Sequence, residues 1–147
     1  MAVTTVPKDY HSLTPFVVVG DVEAAVAFYA EAFGARTAIR REVKGRLLLA
    51  DVIIGDSHLV ISDRANEEGP LSAGNRLYLR VYVPDIDAAL ARAISAGARQ
   101  TAAPEDMYWG DRVGELTDPF GFRWKVSQHL QDLDHREIER RMHAAIG

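Results

Sequence analysis

An internal repeat limits the fold of this chain more than any other feature of its sequence. The segment Val19–Ala27 aligns with Val83–Ala91 without a gap, and in each copy an apolar run is followed by an aspartate and then by spaced apolar residues. A β-branched apolar run is typical of a strand, and apolar residues three and four apart are typical of a helix. A strand and a helix that recur in this way indicate two similar structural units.

Each copy continues with three further strands. The predicted strands of the first unit are Leu13–Val19, Arg36–Val43, Leu47–Ile54 and His58–Ser62, and those of the second are Leu77–Val83, Ala98–Ala102, Asp111–Thr117 and Arg123–His129. The sequence therefore predicts an α+β fold of two βαβββ units, at residues 12–62 and 76–129, joined by a polar linker at Asp63–Asn75. A C-terminal helix is predicted over residues 134–146, and residues 1–147 are expected to form one domain.

Local signals mark where these elements begin and end. Three aspartates precede predicted helices and are expected to cap them: Asp21, Asp85 and Asp134. The turn Asp118–Gly121 joins the last two strands, because Pro119 presets its own φ and Gly121 tolerates a backbone that other residues resist. Asp118 is interpreted as a turn former rather than as an acid.

Composition excludes several classes of protein. The chain has no cysteine, which excludes disulfides, thiolate nucleophiles and cysteine metal sites. Its net charge is −4 and it has no long basic run, so no nucleic-acid partner is expected. No apolar run is long enough to span a bilayer, so we expect no membrane partner and a cytoplasmic location. The nucleophile elbow and the glycine-rich nucleotide loops are also missing.

The order of elements and several motifs resemble the vicinal oxygen chelate superfamily. The motifs are Val-x-Asp-x-x-x-Ala-x-x-Phe-Tyr at 19–29, Phe33-Gly34-Ala35 and Asp118-Pro119-Phe120-Gly121. The segment Trp109–Trp124 and the tail Glu137–Arg141 resemble its PhnB-like branch. The superfamily includes glyoxalase I, extradiol dioxygenases, fosfomycin-resistance enzymes and bleomycin-binding proteins. The resemblance implies a curled eight-stranded sheet around a small-molecule cavity, and it favours a homodimer.

The resemblance also implies positions for metal ligands. These positions fall on Thr14, on Tyr78 or Leu79, on Val60 or Ile61, and on Lys125. Hydroxyl groups are weak ligands, aliphatic side chains are none, and an ammonium group repels a cation. The five histidines offer no substitute, since no two share metal-motif spacing within one element, and they are interpreted as solvated or hydrogen-bonded. We therefore predict no metal and no other cofactor.

The remaining signal is a polar face on two strands of the second unit. Alternation places phenols and cations on the side of these strands that faces away from the helix: Tyr78, Arg80, Tyr82, Arg123 and Lys125. Phenol rings stack on aromatic ligands, and cations pair with carboxylate or phosphate. As an alternative, Glu115 or Asp111 neutralises these cations. Those two carboxylates lie on one strand face with the spacing of any exposed pair.

Two function classes remain open. The first is a metal-free small-molecule-binding protein that sequesters or carries an anionic or aromatic compound. The second is an enzyme, either a metal-dependent glyoxalase-like lyase or isomerase or a dioxygenase, or a metal-free catalyst that uses Tyr78 and Lys125, so enzymatic activity is left undecided. The candidate ligand-binding residues are Thr14, Tyr78, Arg80, Tyr82, Trp109, Arg123 and Lys125, and no catalytic residue is assigned.

Overall fold

Two compact units divide the chain, Met1–Ser72 and Ala73–Gly147, and the computed structural model describes residues 4–64 and 77–146. The first unit contains β1 (Phe16–Val19), α1 (Val22–Phe33), β2 (Arg36–Val43), β3 (Arg46–Ile54) and β4 (Ser57–Asp63). The second contains β5 (Tyr78–Tyr82), α2 (Ile86–Ser95), β6 (Arg99–Asp106), β7 (Asp111–Thr117), β8 (Arg123–His129) and α3 (His135–Ile146). The predicted α+β fold of two βαβββ units with a C-terminal helix is confirmed.

Each unit builds one four-stranded sheet with the same topology. The strand orders are β1-β4-β3-β2 and β5-β8-β7-β6. The first and last strands of each unit pair in parallel, and the other neighbours are antiparallel. The eight predicted strands are therefore present as two sheets of four, and the first strand of each unit is an edge strand of its sheet, as Pro15 had indicated for β1.

The helix starts show how closely the two units repeat each other. Asp21 has φ −142° and ψ 99°, and Asp85 has φ −144° and ψ 104°. The Asp21 side chain accepts a hydrogen bond from the backbone N of Ala24, three residues later, at 3.1 Å. The Asp85 side chain accepts the equivalent bond from Ala88 N at 3.2 Å. The same cap is made before α3, where Asp134 accepts from Glu137 N at 2.8 Å. All three predicted caps are confirmed.

Apolar packing fixes which face of each sheet is buried. In the first unit α1 packs on β3 and β4, and the buried sheet residues are Ala50, Val52, Leu59 and Ile61. In the second, α2 packs on β6, β7 and β8, over Leu116, Trp124 and Val126. Gly114 gives α2 room, since a Cβ there would lie 3.1 Å from Leu90 Cδ1. Alternation then places the intervening strand residues on the opposite side of each sheet.

Some bounds differ from the predicted ones. β1 begins at Phe16 rather than Leu13, and β4 extends to Asp63, where the linker was expected to start. β6 continues past Ala102 to Asp106 although it contains Pro104, because β6 is the edge strand of its sheet and an edge tolerates the missing N–H. Most of the predicted linker and the predicted start of the second unit at residue 76 lie outside the described residues.

No helix within residues 4–64 and 77–146 combines the length and the apolar character that crossing a bilayer requires.

Candidate functional site

The candidate site is the side of the second sheet that faces away from α2, called the polar face below. Its central strand β8 contributes Arg123, Lys125, Ser127 and His129. The ladder places Tyr78, Arg80 and Tyr82 of β5 beside Arg123, Lys125 and Ser127. On the other side of β8, the ladder places Asp111, Val113, Glu115 and Thr117 of β7 beside His129, Ser127, Lys125 and Arg123. Residues paired across a ladder project to the same side, so these groups are neighbours.

Cations and aromatic rings meet on the polar face. The guanidinium carbon of Arg123 lies 3.9 Å from the ring centroid of Tyr78, and Lys125 Nζ lies 4.9 Å from the same centroid. The guanidinium carbon of Arg80 lies 5.9 Å from the ring of Trp109. Each distance is within the range of a cation–π contact. Five of the predicted ligand-binding residues therefore lie in two contacting groups.

Lys125 also has an anionic neighbour. Its Nζ lies 3.9 Å from Glu115 Oε1, and the two side chains are 32% and 25% exposed. The alternative in which Glu115 neutralises a cation of this face is therefore observed for Lys125. The separation is at the outer limit of an ion pair and longer than a hydrogen bond, so the pair is loose.

Asp111 is the buried centre of a hydrogen-bond cluster, and the expectation that it is an exposed carboxylate is wrong. Its side chain is 2% exposed and accepts hydrogen bonds from Tyr82 Oη at 2.8 Å and Trp109 Nε1 at 2.9 Å. His129 Nδ1 lies 2.8 Å from its other oxygen. Burial raises the pKa of Asp111, but the hydrogen bonds from His129, Tyr82 and Trp109 outweigh burial and hold this pKa below its usual value.

Two carboxylates, those of Asp111 and Asp132, favour the protonated form of His129. Its Nδ1 faces Asp111, and its Nε2 lies 2.6 Å from the exposed Asp132. Hydrogen bonds from the ring to Asp111 and Asp132 raise the pKa of His129. Tyr82 behaves as a neutral donor in this cluster, since burial and its hydrogen bond to Asp111 raise its pKa. The histidine was expected only to be solvated or hydrogen-bonded, and it is hydrogen-bonded.

Gly110 holds the Asp111 cluster together. Its φ is +101°, and its carbonyl accepts hydrogen bonds from Leu130 N at 2.9 Å and Gln131 N at 3.1 Å. A Cβ on this residue would lie 2.6 Å from the Gln131 carbonyl oxygen, so only glycine fits. The chain after β8 is thereby tied to the residue between Trp109 and Asp111. The sequence signal for this cluster was the Trp-Gly-Asp run at 109–111.

The turn after β7 positions Arg123 at the start of β8. Asp118 is 4% exposed, and its Oδ1 accepts hydrogen bonds from Phe120 N at 3.0 Å and Phe122 N at 2.9 Å. Its Oδ2 accepts from Trp124 Nε1 at 2.9 Å. The interpretation of Asp118 as a turn former is confirmed.

A second aspartate–histidine cluster lies in the first unit and had no predicted role. Asp51 is 3% exposed, and His58 Nδ1 lies 2.7 Å from its Oδ1. The Tyr10 hydroxyl donates to the other oxygen of Asp51, and the Tyr10 ring stacks on His58 with 4.0 Å between centroids. This cluster fastens the N-terminal arm to the first sheet. Thr14, the remaining candidate residue, also belongs to this unit and lies between the arm and β1.

The comparisons with known proteins identify the family. The family model of the Glyoxalase/Bleomycin resistance protein/Dioxygenase superfamily matches residues 11–126. The chain belongs to this superfamily. An uncharacterized protein of Mycobacterium bovis is 33% identical over 139 residues, which cover 89% of this chain and 91% of that protein. An uncharacterized protein of Mycobacterium tuberculosis is also 33% identical, with 89% and 82% covered.

Several solved structures share the fold. A gene product of Arabidopsis thaliana has a TM-score of 0.68 at 27% identity, covering 80% of this chain and 98% of that one. TioX from Micromonospora sp. has a TM-score of 0.63 at 25% identity, covering 81% and 100%. A superfamily enzyme of Burkholderia phytofirmans has a TM-score of 0.67 at 22% identity, covering 78% and 95%, and that likeness shows the fold alone.

The metal positions implied for this superfamily carry an unsuitable donor set. In the second unit, Tyr78 has two cations against its ring and Lys125 is itself a cation. In the first unit, the positions hold the hydroxyl of Thr14 and the aliphatic side chain of Val60 or Ile61. These groups do not fit a divalent ion. Within residues 4–64 and 77–146, no group of three or more His, Asp or Glu residues is placed to hold a metal ion.

Proposed function

We propose that this protein binds an anionic or aromatic small molecule on the polar face of its second unit, without a metal, and that it sequesters or carries that molecule. The observation that supports this most directly is the contact of Arg123 and Lys125 with the Tyr78 ring, beside the Arg80–Trp109 contact. A face that offers both π surfaces and cations suits a flat ligand with a carboxylate.

The loose pair between Lys125 and Glu115 sets how an anion would bind. An ammonium 3.9 Å from its carboxylate has not formed a hydrogen bond with it, so a ligand anion competes with Glu115 for Lys125. Because both side chains are partly exposed, we expect Lys125 to contribute about 1–2 kcal/mol to anion binding, less than a fully buried pair would.

Two substitutions on this pair should change binding in opposite directions. Lys125→Met keeps most of the apolar stem and removes the charge, so it should weaken binding of aromatic carboxylates by about 5- to 30-fold. Glu115→Gln removes the competing anion and should tighten binding several-fold. Titration calorimetry with benzoate, 1-naphthoate and indole-3-acetate measures both effects, and native mass spectrometry of the purified protein would reveal a copurifying molecule. Equal affinities for the wild type and both variants would contradict the proposal.

The metal-free part of the proposal has its own test. We expect elemental analysis after mild purification to find no zinc, nickel or iron at one per site, because the implied ligand positions hold a lysine, a cation-covered tyrosine and an aliphatic residue. A stoichiometric metal would overturn this part of the proposal.

An enzymatic role, as a glyoxalase-like lyase or isomerase or as a dioxygenase, is the second candidate. The aspartate–histidine pair on the polar face is the feature that favours it, since a buried carboxylate can orient an imidazole. Against it, both ring nitrogens of His129 already face carboxylates. Turnover of a copurifying molecule would decide for this alternative. Membership of the PhnB-like branch, a homodimer, the lack of a nucleic-acid partner and a cytoplasmic location stay predictions.

A further inference from the structure

Ser127 is an unexplained polar group at the centre of the polar face. The residue is fully buried, and its Oγ has no hydrogen-bond partner among residues 4–64 and 77–146. Its ladder neighbours are Tyr82 on β5 and Val113 on β7. The Tyr82 hydroxyl is directed to Asp111, and Val113 offers no polar side-chain atom. A buried hydroxyl without a partner is unfavourable, so its presence needs a reason.

The internal repeat provides a reference for this position. In the parallel ladders, Ser62 pairs with Val18 in the first unit as Ser127 pairs with Tyr82 in the second. Ser62 is also fully buried, but its hydroxyl has an acceptor, the Asp63 carbonyl at 3.5 Å. Two residues earlier, the first unit has Val60 where the second has Lys125. The serine hydroxyl at this position therefore has a hydrogen-bond partner in the first unit, where the residue two positions earlier is aliphatic. In the second unit it has none among the described residues, and the residue two positions earlier is a cation.

Lys125 and Ser127 are close enough to act on one ligand group. They lie two residues apart on one face of β8, which separates their Cα atoms by about 6.7 Å. A lysine side chain is nearly as long as this separation and is flexible, and Lys125 is held only loosely by Glu115. A carboxylate that approached Lys125 could therefore accept a second hydrogen bond from the serine hydroxyl beneath it.

We infer that Ser127 Oγ and Lys125 Nζ form a subsite for the carboxylate of the ligand, with Ser127 donating a hydrogen bond to one oxygen while Lys125 pairs with the anion. The inference rests on the proposed binding function and assigns Ser127, which none of the sequence patterns singled out. Because Ser127 is buried, ligand entry requires the groups that cover it to move aside. The aromatic body of the ligand then lies along Tyr78, with the carboxylate between Lys125 and Ser127 on β8.

The test compares Ser127→Ala with Ser62→Ala, the same substitution at the matching position of the other unit. Removal of an unpartnered buried hydroxyl should leave the resistance to urea unchanged or raised. We expect Ser127→Ala to weaken binding of benzoate, 1-naphthoate and indole-3-acetate at least fivefold. Benzene, naphthalene and 3-methylindole, which have the same ring systems without a carboxylate, should bind the wild type and Ser127→Ala alike, and Ser62→Ala should bind the three acids like the wild type. Ser127→Cys, which keeps the shape of the side chain but has a larger and more weakly donating atom, serves as a second variant and should also weaken binding of the acids.

Each contrary outcome has a distinct meaning. If the wild type binds none of the three acids, both the proposed function and this subsite are overturned. If the acids bind the wild type and weaken with Lys125→Met but not with Ser127→Ala or Ser127→Cys, the subsite alone is overturned. If Ser127→Ala lowers stability and leaves affinity unchanged, the hydroxyl holds a structural water, and the subsite is again overturned.

Discussion

His129 is the residue whose charge should most directly link stability to pH. Its pKa is raised by hydrogen bonds to Asp111 and Asp132, so the protonated ring is favoured in the folded state. A raised folded pKa adds stability that is complete below the unfolded value of about 6.5 and is lost as the pH rises through the folded value. We predict that the free energy of unfolding falls above about pH 6.5, and that His129→Gln reduces this fall. Urea unfolding at several pH values from 5.5 to 9 measures it.

Asp111 contributes to the acid limb of the same profile. Its folded pKa is lowered, so its contribution is present above about pH 4 and is lost as the pH falls through the folded value. His129→Gln should leave the carboxylate its bonds from Tyr82 and Trp109 and therefore retain part of the acid limb. Identical profiles above pH 6.5 for the wild type and His129→Gln would show that the imidazole does not contribute as described.

The burial of Asp111 illustrates what residue patterns cannot predict. A period of two correctly places Asp111 and Glu115 on one side of β7. It does not reveal that Tyr82, 29 residues earlier, and His129, 18 residues later, supply hydrogen bonds to only one of these carboxylates. Such contacts depend on the register of three strands and on the Gly110 link, neither of which is encoded in local spacing.

At the scale of elements, the two equivalent helix caps should contribute equally to the free energy of unfolding. Asp21 and Asp85 have nearly identical backbone angles and accept equivalent hydrogen bonds. Replacing either by alanine leaves a first-turn N–H without its partner, and each change should cost about 1 kcal/mol of unfolding free energy. Urea unfolding of Asp21→Ala, Asp85→Ala and the exposed control Glu31→Ala measures this. A loss at one cap only, or an equal loss at Glu31, would contradict it.

The repeat also explains why so much of the fold could be predicted. In both copies the capping aspartate, the apolar stripe of the helix and the alternation along the strands indicate the same elements. A wrong prediction in one copy can therefore be detected by comparison with the other copy. β2, β7 and β8 have the predicted bounds. β6 was predicted too short because Pro104 reads as a strand end, whereas its position at a sheet edge lets the strand continue. Whether a strand lies at the edge of a sheet depends on the sheet topology, which cannot be inferred from local sequence patterns.

At the scale of the whole molecule, the predicted homodimer can be tested through α3. Met142 is 41% exposed on this helix, and Leu77 and Phe16 elsewhere are 71% and 52% exposed. Exposed apolar side chains favour association, and edge strands benefit from cover. We predict a particle of twice the 16.2 kDa chain mass by light scattering at micromolar concentration. Met142→Glu should lower this mass towards that of one chain.

His143→Glu is the matched control for the dimer. It introduces the same side chain at the next position of α3, where the native residue is already polar and 76% exposed. This variant should keep the wild-type mass. A wild-type particle of one chain mass would refute the homodimer, and a dimer that survives Met142→Glu would remove α3 from the interface.

In the second sheet, the residues that stabilise the fold and the residues that form the candidate binding surface lie on opposite sides. The side chains that pack under α2 project to the opposite side of the sheet from those of Lys125, Ser127 and Tyr82. The first unit keeps the same caps and ladders with Val60, Ser62 and Val18 at those positions. Within this one chain, a single scaffold already carries two different surfaces. A few substitutions on one face can therefore change the ligand preference during evolution without changing the fold.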